Sequence, residues 1–98
     1  MKIGISITSA YQTSDARSGA RQMIARTKAA ATAGLDSLFV GDHHVVPSPY
    51  YQNVPIMGRL LSEWDSRTSG ALFLLPLWNP VLAAEQVSTL ACIAQGKF

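Results

Sequence analysis

A single cysteine, Cys92, in 98 residues excludes a disulfide within the chain, and with it the small secreted domains held by cystine frameworks. Long apolar runs are also missing. The longest, from Ala71 to Leu75 and on to Trp78, is broken by Pro76 and falls well short of the roughly 20 residues a membrane-spanning helix needs, so no membrane partner is expected. The start, MKIGISITSA, has neither an extended basic stretch nor the apolar core of a secretory leader, which makes a reducing cytoplasm the expected compartment. Charge of one sign is in short supply, since eight Lys and Arg against six Asp and Glu leave +2. Arg17, Arg21, Arg26 and Lys28 have no aromatics between them, so they read as a solvated helix face and no nucleic-acid partner is expected. Repeats, low-complexity tracts and linkers are lacking too, and residues 1–98 read as one domain.

What is present is the alternation of strand and helix that builds parallel sheets, an α/β pattern. Lys2 to Thr8, with apolar residues at every second position and β-branched Ile3, Ile5, Ile7 and Thr8, predicts a first strand whose carboxyl end runs from Ser9 to Thr13. Asp15 to Ala33 predicts a helix with Ala20, Ile24, Thr27 and Ala31 turned inward, stopped by Gly34 in the left-handed conformation. Ser37 to Val40 follows as a second strand. The Pro-rich VVPSPYYQNVP, Val45 to Pro55, cannot continue it and reads as a loop over the strand end. A short helix from about Met57 to Trp64 and a third strand, Gly70 to Leu75, complete the middle; the continuous apolar run of that strand suits burial on both faces. Asn79 is a cap and Pro80 a first helical residue for a last helix that ends at Gly96, with Ala83, Val87, Leu90 and Ala94 inward. Lys97 and Phe98 look like the first step of another strand.

The chemistry concentrates in GLDSLFVGDHH, Gly34 to His44, where a buried strand ends in an acid and two histidines. Titratable groups at the carboxyl end of a buried strand are where α/β enzymes keep their reactions. Imidazole titrates near neutrality and suits general acid or base work. Along an extended segment neighbours point opposite ways, so His43 and His44 should not enter one pocket together. Asp42 is expected to orient an imidazole or to cap a loop amide. The alternative for the histidines is a pair that fixes the long loop by hydrogen bonds. No metal site is expected, because adjacent histidines with Asp42 lack the spaced further ligands of zinc sites. Tyr50, Tyr51, Trp64 and Trp78 are candidates for an aromatic pocket, although Trp64 shares a helical stripe with Leu60 and Leu61 and reads as core. Glu85 is either exposed or paired with Arg59 or Arg67, and Cys92 is expected buried and inert.

Three strand–helix units do not close a parallel barrel, which takes eight strands and about 250 residues. The chain therefore reads either as an independent small α/β domain or, with more weight, as the amino-terminal three βα units of a larger (β/α)8 TIM-type barrel that is incomplete in this chain.

GLDSLFVGDHH, the run ALFLLPLWNPVLAAEQ and the closing GKF together resemble the luciferase-like flavin-dependent oxidoreductases, a family of (β/α)8 barrels. It includes bacterial luciferase, alkane monooxygenases and deazaflavin-dependent dehydrogenases and reductases. The resemblance covers essentially all 98 residues and about the first third of the family's barrel. It implies a flavin-dependent monooxygenase in which reduced FMN and oxygen act on a small organic substrate. The alternatives are hydride transfer with the deazaflavin coenzyme F-420, and a truncated, non-catalytic fragment that binds no flavin alone. By the same resemblance His44 is the proton-transfer residue beside the flavin, with Asp42 and His43 in support. The strand ends at Ile7, Val40, Ala71 and Leu72 wall an apolar flavin slot, and a non-prolyl cis peptide joins Ala71 to Leu72. GDHH departs from the EHH of luciferase, which leaves the cofactor open. The parent enzyme is expected to be a homodimer.

Overall fold

A computed structural model describes residues 1–12 and 15–98. The element order is β1 (Gly4–Ile7), α1 (Ala16–Thr32), β2 (Ser37–Val40), α2 (Asn53–Leu60), β3 (Thr68–Ala71) and α3 (Pro80–Ile93), with a 3₁₀ turn at Leu75–Leu77. The three strands are parallel in the order β1-β2-β3, with Leu38 between Ile5 and Ser69, and Val40 between Ile7 and Ala71. Sequential order with crossovers of one hand puts the connecting helices on one face of the sheet. Exposure agrees. Ile7, Leu38 and Val40 are buried beneath Met23, Thr27 and Ala30 of α1 and Ile56, Met57 and Leu60 of α2, while Gly4, Ser6 and Phe39 stay exposed on the other face.

Local signals explain the first crossover. Asp15 caps α1 by accepting from the Arg17 amide at 3.0 Å and also pairs with Arg21 at 2.8 Å. At the other end Gly34 takes φ 77°, and Gly34 and Leu35 donate to the carbonyls of Ala31 and Ala30, the Schellman closure of a helix. The inward face of α1 is rotated from expectation. Gly19, Met23, Thr27 and Ala30 are buried, whereas Ala20, Ile24 and Ala31 are only partly covered.

Four elements differ from the sequence reading. β1 is Gly4–Ile7 rather than Lys2–Thr8, and the part of its carboxyl end at Thr13 lies outside the described residues. β3 is Thr68–Ala71, two residues earlier than expected, because it takes its register from Ser37–Val40. Consequently Leu72, Leu74, Leu75 and Leu77, taken as a doubly buried strand and its extension, are exposed instead. α2 begins at Asn53, not Met57; Pro55 is tolerated there because the amides of a first turn have no intrahelical acceptor. Trp64 lies beyond the end of α2, buried at 2% exposure, with Arg67 stacked 4.4 Å over its ring.

α3 begins as expected, with Asn79 Oδ1 accepting from the amides of Val81 and Leu82, but it ends at Ile93 rather than Gly96. Its buried residues are Ala83 and Leu90, and Val87 stays exposed. Cys92, expected buried, is exposed, since two residues beyond Leu90 point about 200° round a helix. Arg59 and Arg67 turn to Glu63 and Asp65 rather than to Glu85, which is exposed. Beyond α3 the Lys97 carbonyl accepts from the Ser69 amide at 2.8 Å, so the chain returns alongside β3. Among the described residues no helix is long and apolar enough to cross a membrane.

Candidate active site

β2 ends at Val40, and the next four residues turn its carboxyl end into a polar cluster. Asp42 is 1% exposed. A carboxylate buried that deeply is costly unless hydrogen bonds replace its water, and two do. Its Oδ2 accepts from the Leu74 amide and from Trp78 Nε1, both at 2.8 Å. Its Oδ1 faces His44 Nε2 at 3.0 Å. Both alternatives read from the sequence are thus realised together: Asp42 caps a loop amide and stands against an imidazole.

The two histidines diverge, as alternation requires. The His44 ring is partly covered and stands edge-on to Trp78, with centroids 6.3 Å apart, and Trp78 in turn meets Phe73 at 5.1 Å. His43 is exposed and stands edge-on to Tyr50 at 5.5 Å. A Cβ at Gly41 would lie 3.1 Å from Tyr50 Oη and 3.9 Å from His43 Cδ2, so both side chains reach over that glycine. Gln52 Nε2 donates to the His43 carbonyl at 3.3 Å. Val45, directly after His44, has φ 52°, a left-handed conformation costly for a β-branched residue.

The long loop is held to the neighbouring strand end. Ala10 and Tyr50 form an antiparallel bridge, and the Tyr51 amide donates to the Ser9 carbonyl at 2.9 Å. Tyr51 stands edge-on to Tyr11 and its hydroxyl donates to the Ala16 carbonyl. It therefore ties β1, α1 and the loop together, and it also lines a small hollow with Gln52, Pro55 and Ile56.

The apolar wall is differently built from the expectation. Ile7, 3% exposed, and Val40, 1% exposed, belong to the core beneath the helices, and Ala71, opposite Val40, packs against the same core. Their side chains face away from the open side of the sheet. Phe39, lying across Gly70, and Leu72, 53% exposed, are the apolar groups left free there, because register puts every second residue on each face. The expected cis bond between Ala71 and Leu72 is also absent, and no cis peptide occurs among the described residues. A trans bond is the lower-energy form, and here the Leu72 amide donates to the Val40 carbonyl at 2.9 Å while its carbonyl accepts from Asn53 Nδ2 at 2.7 Å.

Asn53 and the polar role of Trp78 escaped the sequence reading. Asn53 is fully buried at the start of α2, where it braces the Leu72 carbonyl. Its sequence signal was a cap-favouring polar residue before an apolar run, obscured by Pro55. Trp78 gave no local signal, because its partner Asp42 is 36 residues away.

A hollow of about 380 Å³ opens at the opposite, amino end of the strands, lined by Lys2, Asp36, Phe39, Arg67 and Lys97 among others. Its Arg67 is already committed to the Asp65 carboxylate and the carbonyls of Leu35 and Ala31, and Asp36 accepts from the Ile3 amide. Proton-transfer groups gather at the carboxyl end instead.

The family model described as luciferase-like monooxygenase matches residues 1–98. No curated protein matches the chain.

Proposed function

The chain belongs to the luciferase-like monooxygenase family, whose members are flavin- or deazaflavin-dependent oxidoreductases, and from that premise we propose that residues 1–98 are the amino-terminal portion of a flavin-dependent monooxygenase barrel. The observation that carries this reading is the Asp42–His44 pair beside an uncovered sheet face at the carboxyl end of parallel strands. The residues fit a flavin: the open face offers Phe39 and Leu72 to a planar ring, beside the small exposed Ser6. Reduced FMN, when bound, supplies the electrons with which oxygen attacks a small organic substrate.

The chain's own residues hold and move protons. His44, backed by the Asp42 carboxylate, exchanges a proton with the bound ligand. His43 and Tyr50 stand on the flank of the same strand end, and Phe39 and Leu72 offer apolar surface beside it. The sheet supports further strands, since β1 and β3 are edge strands and the Lys97 carbonyl already adds to β3. A dimeric parent enzyme and a cytoplasmic setting accompany this reading.

Titration of FMN and of the deazaflavin coenzyme into the protein, followed by absorbance, and oxygen uptake in the presence of a reductant test it. A complete barrel that carries these residues is expected to bind FMN and to show reductant-dependent uptake, with His44→Ala lowering turnover roughly 10²-fold or more and leaving the fold intact. If turnover falls with His43→Ala and not with His44→Ala, the proton role belongs to His43. Binding of the deazaflavin alone moves the reading to hydride transfer. No binding of either, together with self-association, favours the non-catalytic fragment, for which the exposed Leu75, Leu77, Val81 and Leu82 are the supporting observation.

A further inference from the structure

Within the proposed site, and resting on it, one question is which nitrogen of His44 faces the ligand. His44 Nε2 and Asp42 Oδ1 lie 3.0 Å apart, both buried, and as the ring stands neither has a hydrogen-bond partner among the described residues, the other included. At that separation each is the other's available partner, and a small turn of the ring that aims an Nε2 proton at Oδ1 satisfies both. The carboxylate is acceptor-only, so that proton resides on Nε2. Asp42 itself has little freedom, since its other oxygen is held by the Leu74 amide and the Trp78 indole N–H at 2.8 Å each. The Trp78 ring is wedged between Phe73 and His44.

We infer that Trp78 and Asp42 are positioning residues that commit His44 Nε2 to the protein and leave Nδ1 as the nitrogen that gives and takes the ligand's proton. The indole N–H fixes the carboxylate, the carboxylate fixes the tautomer, and the tautomer decides which atom is basic.

The test reads ring nitrogens without any cofactor. Two-bond proton–nitrogen correlation spectra of the full chain, recorded near pH 9 where an ordinary imidazole is neutral, are compared for the native protein, Asp42→Asn and Trp78→Phe, with His43→Ala used to assign signals. Native His44 is expected to carry its proton on Nε2. In Asp42→Asn the amide oxygen keeps both donors while the amide nitrogen faces the ring. Nε2 must then accept, and the proton moves to Nδ1. Trp78→Phe keeps an aromatic ring but deletes one donor, and the His44 populations shift toward those of free histidine. A native ring with a bare Nε2, or a tautomer unchanged in both variants, overturns the assignment. Should Asp42→Asn fail to fold, Trp78→Phe decides alone. Failure of flavin binding would leave the tautomer result standing, so the two readings fail separately.

Discussion

The two faces of the sheet follow opposite rules although alternating residues of the same strands build both. On the helix side Leu38 is fully buried among Met23, Met57 and Leu60, and the layer is closed. One residue on, Phe39 is 42% exposed and has little above it but solvent. The closed face holds the molecule together, whereas the open face and its carboxyl rim carry the titratable groups, the strained Val45 and the uncovered apolar rings. Along the strands the closed and open faces are thus divided by residue parity, which makes the division open to attack one residue at a time.

The sharpest way to break this contrast is a pair of neighbouring truncations. Leu38→Ala is expected to cost about 3 to 4 kcal/mol, because it removes a fully buried side chain and leaves a cavity. Phe39→Ala is expected to cost less than about 1 kcal/mol, since much of its ring is in water already. Urea unfolding of both variants measures the gap, and equal losses would mean that the open face is covered in solution.

Strain at the rim gives a smaller effect of opposite sign. Val45 is fully exposed at φ 52°, so Val45→Gly is expected to raise stability by up to about 1 kcal/mol through relief of the left-handed penalty. A loss would show that this turn relaxes in solution.

The smallest effect concerns the closed side. Burial pushes the Tyr11 phenol above its ordinary value of 10.0, a rise that the Arg26 guanidinium, 5.3 Å from its ring, partly offsets. The folded state therefore favours the protonated phenol. Its contribution is fully present below pH 10.0 and is lost as pH rises through the higher folded value. Unfolding midpoints measured across that alkaline range should fall more steeply for the native protein than for Tyr11→Phe, and parallel curves would place the hydroxyl in water.

Legibility followed the reach of each signal. The Gly34 stop, the Ser37–Val40 strand and the Asn79–Pro80 helix start were read directly, because a cap or a φ preference acts within three or four residues. The pairing of an acid with imidazole at the end of β2 was readable for the same reason, since Asp42 and His44 are two residues apart. The leucines after Ala71 misled, because an apolar run announces burial without saying which partner supplies it.

From the sequence alone came the alternation of parallel strands and helices, the place of the polar cluster at a strand's carboxyl end, and the family resemblance carried by GDHH and LPLWNP. Tertiary structure alone decided that Ile7 and Ala71 face the helices, that β3 starts at Thr68, that Asn53 braces the Leu72 carbonyl, and that Asp42 is held by an indole 36 residues away. Register between strands and hydrogen bonds across loops are set by the packing of distant segments. No window of neighbouring residues contains that energy.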